Sequence, residues 1–144
     1  MKLLTKSLIA GLVLVAGVAF AKEGVQDPTV KARMDLMGTI GMNTKILGDM
    51  ATEKTAFDAA AAQGAKDALI AASADIAAKF EPQATDPVAE AKPEIWTNWD
   101  DFVAKATTLN AAATALDPSS LDTVKAGMGA IGGTCRDCHT AYRM

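Results

Sequence analysis

Two cysteines and one histidine are the only residues of their kinds in the 144-residue chain, and all three fall within Cys135-Arg136-Asp137-Cys138-His139. On a helix, residues three apart share a face, so both thiols reach the same neighbour and the imidazole follows on the next residue. Four chemistries use such a cluster. A zinc site takes about four protein ligands, and no further cysteine or histidine exists to supply them. A thioredoxin-like redox pair sits in a βαβ context, which the sequence does not offer. A structural disulfide closing so small a loop adds little stability and leaves His139 unexplained. Covalent haem attachment uses all three side chains: the thiols add to two vinyl groups on one porphyrin edge, and His139 brings a nitrogen to the iron. The expected cofactor is therefore one covalent haem c.

The start of the chain agrees with an exported protein. Lys2 and Lys6 precede an apolar run from Leu8 to Phe20 that ends in Ala19-Phe20-Ala21, a small-residue cleavage pattern. The run is too short to span a bilayer comfortably, and no later run of about twenty apolar residues occurs. Cleavage after Ala21 is expected, releasing residues 22–144 into the periplasm as one domain without a membrane span. Losing two lysines and no acid takes the formal net charge from −3 to −5, and an acidic domain is a poor partner for nucleic acid.

The elements that must position the cluster read as helices throughout. Asp27-Pro28 combines a capping side chain with proline at the first helical position. Helix one is expected to run from there to about Met50, with Val30, Met34, Met37 and Gly41 on one apolar stripe. An alanine-dominated segment from about Thr55 to Phe80 predicts helix two, its small residues allowing close packing. Pro82, Pro87 and Pro93 then interrupt the chain in its one long loop. Helix three is expected from Pro93 to Leu116, with Trp96, Trp99 and Phe102 as core. After Asp117-Pro118-Ser119-Ser120, helix four is expected from Leu121 to Tyr142. Two short links and one long loop predict an antiparallel four-helix bundle, an all-α fold whose cofactor sites are built from inward-facing side chains. Gly132 and Gly133 lie inside helix four, where glycine costs about 1 kcal/mol against alanine. Close approach of a porphyrin or a facing helix would offset that cost; a tolerated kink is the alternative.

Three features together resemble class II cytochromes c: the segment Gly132 to Arg143, the Pro93-Glu94-Ile95-Trp96 run, and Arg33 four residues before Met37. That family comprises the cytochromes c prime and their low-spin, methionine-ligated relatives, and the resemblance covers essentially all of residues 22–144. It implies that His139 is the proximal iron ligand, that Arg143 stands beside the proximal face, and that Arg33 lies near the haem propionates. It also places Glu90 and Met34 at the haem edge and Met37 on the distal side. Many cytochromes c prime have glutamine where this chain has Met34, so a propionate hydrogen bond from that position is lost. Without the resemblance, Arg33 reads as a solvated cation and Arg143 as a charge complementing the last carbonyls of helix four.

Function then turns on the iron's far side. If the Met37 thioether binds, the iron is six-coordinate and the protein shuttles single electrons between redox partner proteins. If Met37 is only packing, the iron is open to small gases such as nitric oxide or carbon monoxide. A peroxidase-like enzyme would want a distal acid-base group. With no second histidine and no acid on the inward stripe, a non-enzymatic carrier is the expectation. The resemblance further implies a homodimer through helices one and two.

Overall fold

The computed structural model describes residues 23–144; the expected signal peptide lies outside the described residues. Helix α1, Pro28–Ala51, starts as its sequence dictates: Asp27 stays extended, and its carboxylate accepts the backbone N–H groups of Thr29 and Val30. Its other end turns on Glu53, which adopts the left-handed conformation at φ 60°. Glu53 N–H then donates to the Met50 carbonyl and Lys54 N–H to the Asp49 carbonyl, the paired bonds of a Schellman motif.

Helix α2, Ala59–Ala74, begins four residues later than expected, because the Asp58 carboxylate accepts the N–H groups of Ala60 and Ala61 and fixes the start there. The alanine-rich helix also does not run unbroken to Phe80. It stops at Asp75, and a single further turn, α3 (Ile76–Phe80), follows. Helix three is divided in the same way, into α4 (Glu94–Thr97) and α5 (Trp99–Ala115), by Asn98 at φ −120°, ψ 43°. Helix α6 occupies Leu121–Tyr142, entered through a reciprocal Ser120–Thr123 capping box.

α1 packs against α2 and α6, and α5 packs against α2 and α6, which closes an antiparallel four-helix bundle. Leu47, Leu69, Leu116, Val124 and Ile131 are essentially inaccessible, and each contributes about 1.5–3 kcal/mol by leaving water. Ala62 and Ala65 are buried where α2 meets its neighbours, so part of the alanine content serves close packing. Gly127 is the glycine that a facing segment requires: a methyl group there would collide with the Leu116 side chain. At Gly132 and Gly133 an added methyl would meet nothing within 4 Å, so no facing helix accounts for those two.

At the open end of the bundle, Phe102 contacts Phe80, Trp99 and Tyr142, with ring centroids 5.2–5.6 Å apart. The loop over residues 81–93 crosses this end and is tied down at both sides. Asp86 accepts the N–H groups of Gln26, Asp27 and Val88 at 2.8–3.0 Å. Farther on, Ala91 pairs with Arg143 in an isolated antiparallel bridge.

Candidate functional site

The loop and the helices α1, α3, α4, α5 and α6 line a cavity of about 590 Å3, a size that accommodates a cofactor. Its α6 wall carries Thr134, Cys135, Cys138 and His139. Both thiols are half-buried and neither is in a disulfide. Burial pushes both above the ordinary thiol range, and at Cys138 the charge of Lys105 pulls the other way. His139 stands at the exposed side of the cavity. Its imidazole is held below the ordinary histidine range, first by loss of solvent and then by the Arg143 charge, with Glu90 opposing. The neutral ring that results is the form that ligates a metal.

The facing wall comes from α1. Val30, Met34, Met37 and Gly41, the apolar stripe of the sequence, all line the cavity, and Thr44 continues it. The Thr44 hydroxyl is buried there without a protein partner. Ile76, Phe80, Ile95, Phe102 and Leu109 complete an interior that is mostly apolar. Two thiols and an imidazole on one wall of an apolar slot are a donor set that fits a porphyrin bound by thioethers and one axial nitrogen. Among the described residues no cluster of three or more histidine, cysteine, aspartate or glutamate side chains forms an alternative metal site.

Arg33 lines the same cavity but is no solvated cation; it is 3% exposed. Its guanidinium lies 5.2 Å from the Phe80 ring centroid and 5.1 Å from that of Trp96. Nε donates to the Lys79 carbonyl at 3.1 Å and Nη1 to the Ala84 carbonyl at 3.2 Å, while Nη2 donates to the carbonyl of Pro82. Burial lowers its pKa, and Asp27 partly offsets that. Trp96 joins this knot by donating its indole N–H to the Phe80 carbonyl at 2.8 Å. Arg33 thus binds the last turn of α3 and the first half of the loop to α1.

Glu90 and Arg143 meet across the mouth, with Arg143 Nε 2.6 Å and Nη2 2.5 Å from Glu90 Oε2. The eight residues singled out in the sequence, Arg33, Met34, Met37, Glu90, Cys135, Cys138, His139 and Arg143, all line this one cavity. The sequence reading passed over Tyr142, Asp101 and Lys92. Tyr142 is buried on the cavity wall, and its hydroxyl donates to Asp101 Oδ2 at 2.6 Å. Asp101 also faces Lys105 at 3.6 Å. The spacing Asp101, Lys105 on one helix face was a legible signal; its pairing with a tyrosine 41 residues away was not.

This geometry has close counterparts among known proteins. A family model described as Cytochrome C' matches residues 28–143. Cytochrome c-556 of Agrobacterium tumefaciens (strain apple 185) is 38% identical over 122 residues, covering 81% of this chain and 94% of the relative. The structure of cytochrome c' from Rhodopseudomonas palustris superposes with a TM-score of 0.75 at 28% identity, over 83% of this chain and 98% of that one. A nitric oxide complex of a point mutant of cytochrome c prime from Alcaligenes xylosoxidans gives a TM-score of 0.71 at 27% identity, over 80% and 93%.

Proposed function

The chain belongs to the cytochrome c' family, and from that membership we propose that this haem c protein is a one-electron carrier of the periplasm, with His139 and Met37 as its two axial ligands. Cys135 and Cys138 hold the haem through thioether bonds, and the domain is residues 22–144 after cleavage behind Ala21. The observation that carries the reading is that a thioether on α1 and an imidazole on α6 line one cavity, with those two helices packed directly together. A methionine ligand favours the reduced iron, and a mostly apolar wall excludes water from the bound group. Arg33, Met34 and Glu90 lie at the haem edge in this reading, and Arg143 on the proximal side. Redox proteins are the expected partners, and two copies pair through α1 and α2.

The visible spectrum of the purified protein in both redox states tests the assignment. Ligation by Met37 gives a low-spin ferric form with a weak sulfur-to-iron band in the far red, and a ferrous form that binds carbon monoxide poorly. Met37→Ala then opens the iron, giving a high-spin spectrum and ready gas binding. The nitric oxide complex of a family member favours one other reading, a five-coordinate gas-binding protein with Met37 as a distal wall. An unmodified protein that is already high-spin and takes up carbon monoxide at neutral pH establishes that reading instead. In either case the haem resists acid extraction, and replacing both cysteines with serine abolishes its covalent retention.

A further inference from the structure

The last four carbonyls of an α-helix have no partner inside it, and in α6 each of the four is nevertheless taken. His139 O accepts Arg143 N–H at 3.0 Å. The other three belong to a single residue of the long loop: Lys92 Nζ donates to the carbonyls of Thr140 and Ala141, each at 3.2 Å, and Lys92 N–H donates to that of Tyr142 at 2.9 Å. The cap of the helix that carries His139 is therefore supplied from outside the helix. No ion pair to a carboxylate of the described residues offsets the Lys92 ammonium.

From this geometry we infer that Lys92 is a positioning residue for the His139 turn, one that fixes its backbone and places an uncompensated positive charge beside it. The inference rests on the haem reading above. A cation at a helix C-terminus interacts favourably with the partial negative charge of the carbonyls, and the same cation opposes the added positive charge of oxidised iron. Lys92 therefore favours the reduced protein, and its removal lowers the midpoint potential. Pro93 fixes the chain just after it, and Met144 N–H donates to the Glu90 carbonyl at 2.8 Å just before it, so the ammonium is held by backbone on both sides.

The test compares Lys92→Met, which keeps the stem and deletes the charge, with Lys92→Arg, which keeps both, in full-length protein matured by an exporting host. The ferric-to-ferrous ratio at a fixed ambient potential is expected to rise about twofold in Lys92→Met, the order for a unit charge acting largely through solvent, and to stay near the unmodified value in Lys92→Arg. Amide hydrogen exchange over residues 140–143 is expected to quicken in Lys92→Met. A Lys92→Met protein with full haem and an unchanged potential overturns the inference, as does an equal shift in both variants, which would mark packing rather than charge. Lys92→Gln, with a neutral donor, serves in place of Lys92→Met if that variant does not fold; its expected shift and its overturning result are the same. An unmodified protein without covalent haem would instead overturn the haem reading, and unchanged exchange in its Lys92→Met variant would separately overturn the capping role.

Discussion

At the scale of single residues, Tyr142 offers the sharpest prediction, because it is the chain's one tyrosine. Its hydrogen bond to Asp101, then its burial, push the phenol up to about 12. The protonated phenol is therefore favoured by folding. Its stabilising contribution is complete below the ordinary tyrosine pKa near 10 and is lost as pH rises from there toward about 12. An ultraviolet titration of phenolate absorbance should show a midpoint near 12, and Asp101→Asn should bring it down toward the ordinary value. A midpoint unmoved by Asp101→Asn would mean that the hydrogen bond is not its cause. The cysteines and histidine were legible because their types and spacing state a chemistry. Arg33 was singled out only by the resemblance, and its burial was not legible, since its partners are backbone carbonyls of residues 79, 82 and 84, and no side-chain pattern marks a carbonyl that lacks a partner. Lys92 escaped notice for the same reason.

At the scale of elements, two helix starts written in side chains were read correctly, the Asp58 cap of α2 was missed, and so were the breaks made by backbone alone. Asp27-Pro28 and Ser120 announce α1 and α6 because capping uses particular residue types. Asp75 and Asn98 interrupt two helices without a side-chain cap bond, and the apolar spacing on either side runs on as if nothing intervened. The same blindness covered the Schellman turn after α1, where glycine is the usual residue and Glu53 stands instead. A left-handed conformation costs a non-glycine residue roughly 1–2 kcal/mol. Glu53→Gly forfeits only an exposed ion pair to Lys125 at 3.0 Å, and such pairs contribute little. The variant is expected to gain about 1 kcal/mol, read as a rise of a few degrees in the melting temperature. An unchanged or lower melting temperature would show that the turn carries no strain.

At the scale of the whole molecule, the bundle divides its work between two ends. The links over residues 52–58 and 116–120 reverse the chain and seat Leu116 in the core, whereas the other end gathers the long loop, the aromatic cluster and the cavity. Asp86 governs the loop's hold there, and its three backbone N–H donors keep the carboxyl below its ordinary value of 3.8. A carboxylate stabilised in this way supports the fold above its unfolded pKa of about 3.9, and the support disappears as pH falls through the lower folded value. Thermal melts of the unmodified protein and of Asp86→Ala should therefore differ at neutral pH and converge in acid below about pH 4. A gap that persists unchanged at the acid end would assign the effect to something other than charge.

The loop's two anchors have a topological consequence as well. Gln26, at the entry to α1, donates to Asp86, while Met144, just beyond α6, donates to Glu90. Those acceptors are four residues apart, at most about 14 Å along even a fully extended chain. Residues 26–144 thus form a nearly closed ring, with its seam lying on one short stretch of their own sequence. Positions that meet in this way are the circumstance in which circular permutation is tolerated. Residues 26–144 joined at this seam and reopened in the link over residues 52–58 keep every helix beside its present neighbours, with α1 following α6 as the last helix instead of leading as the first.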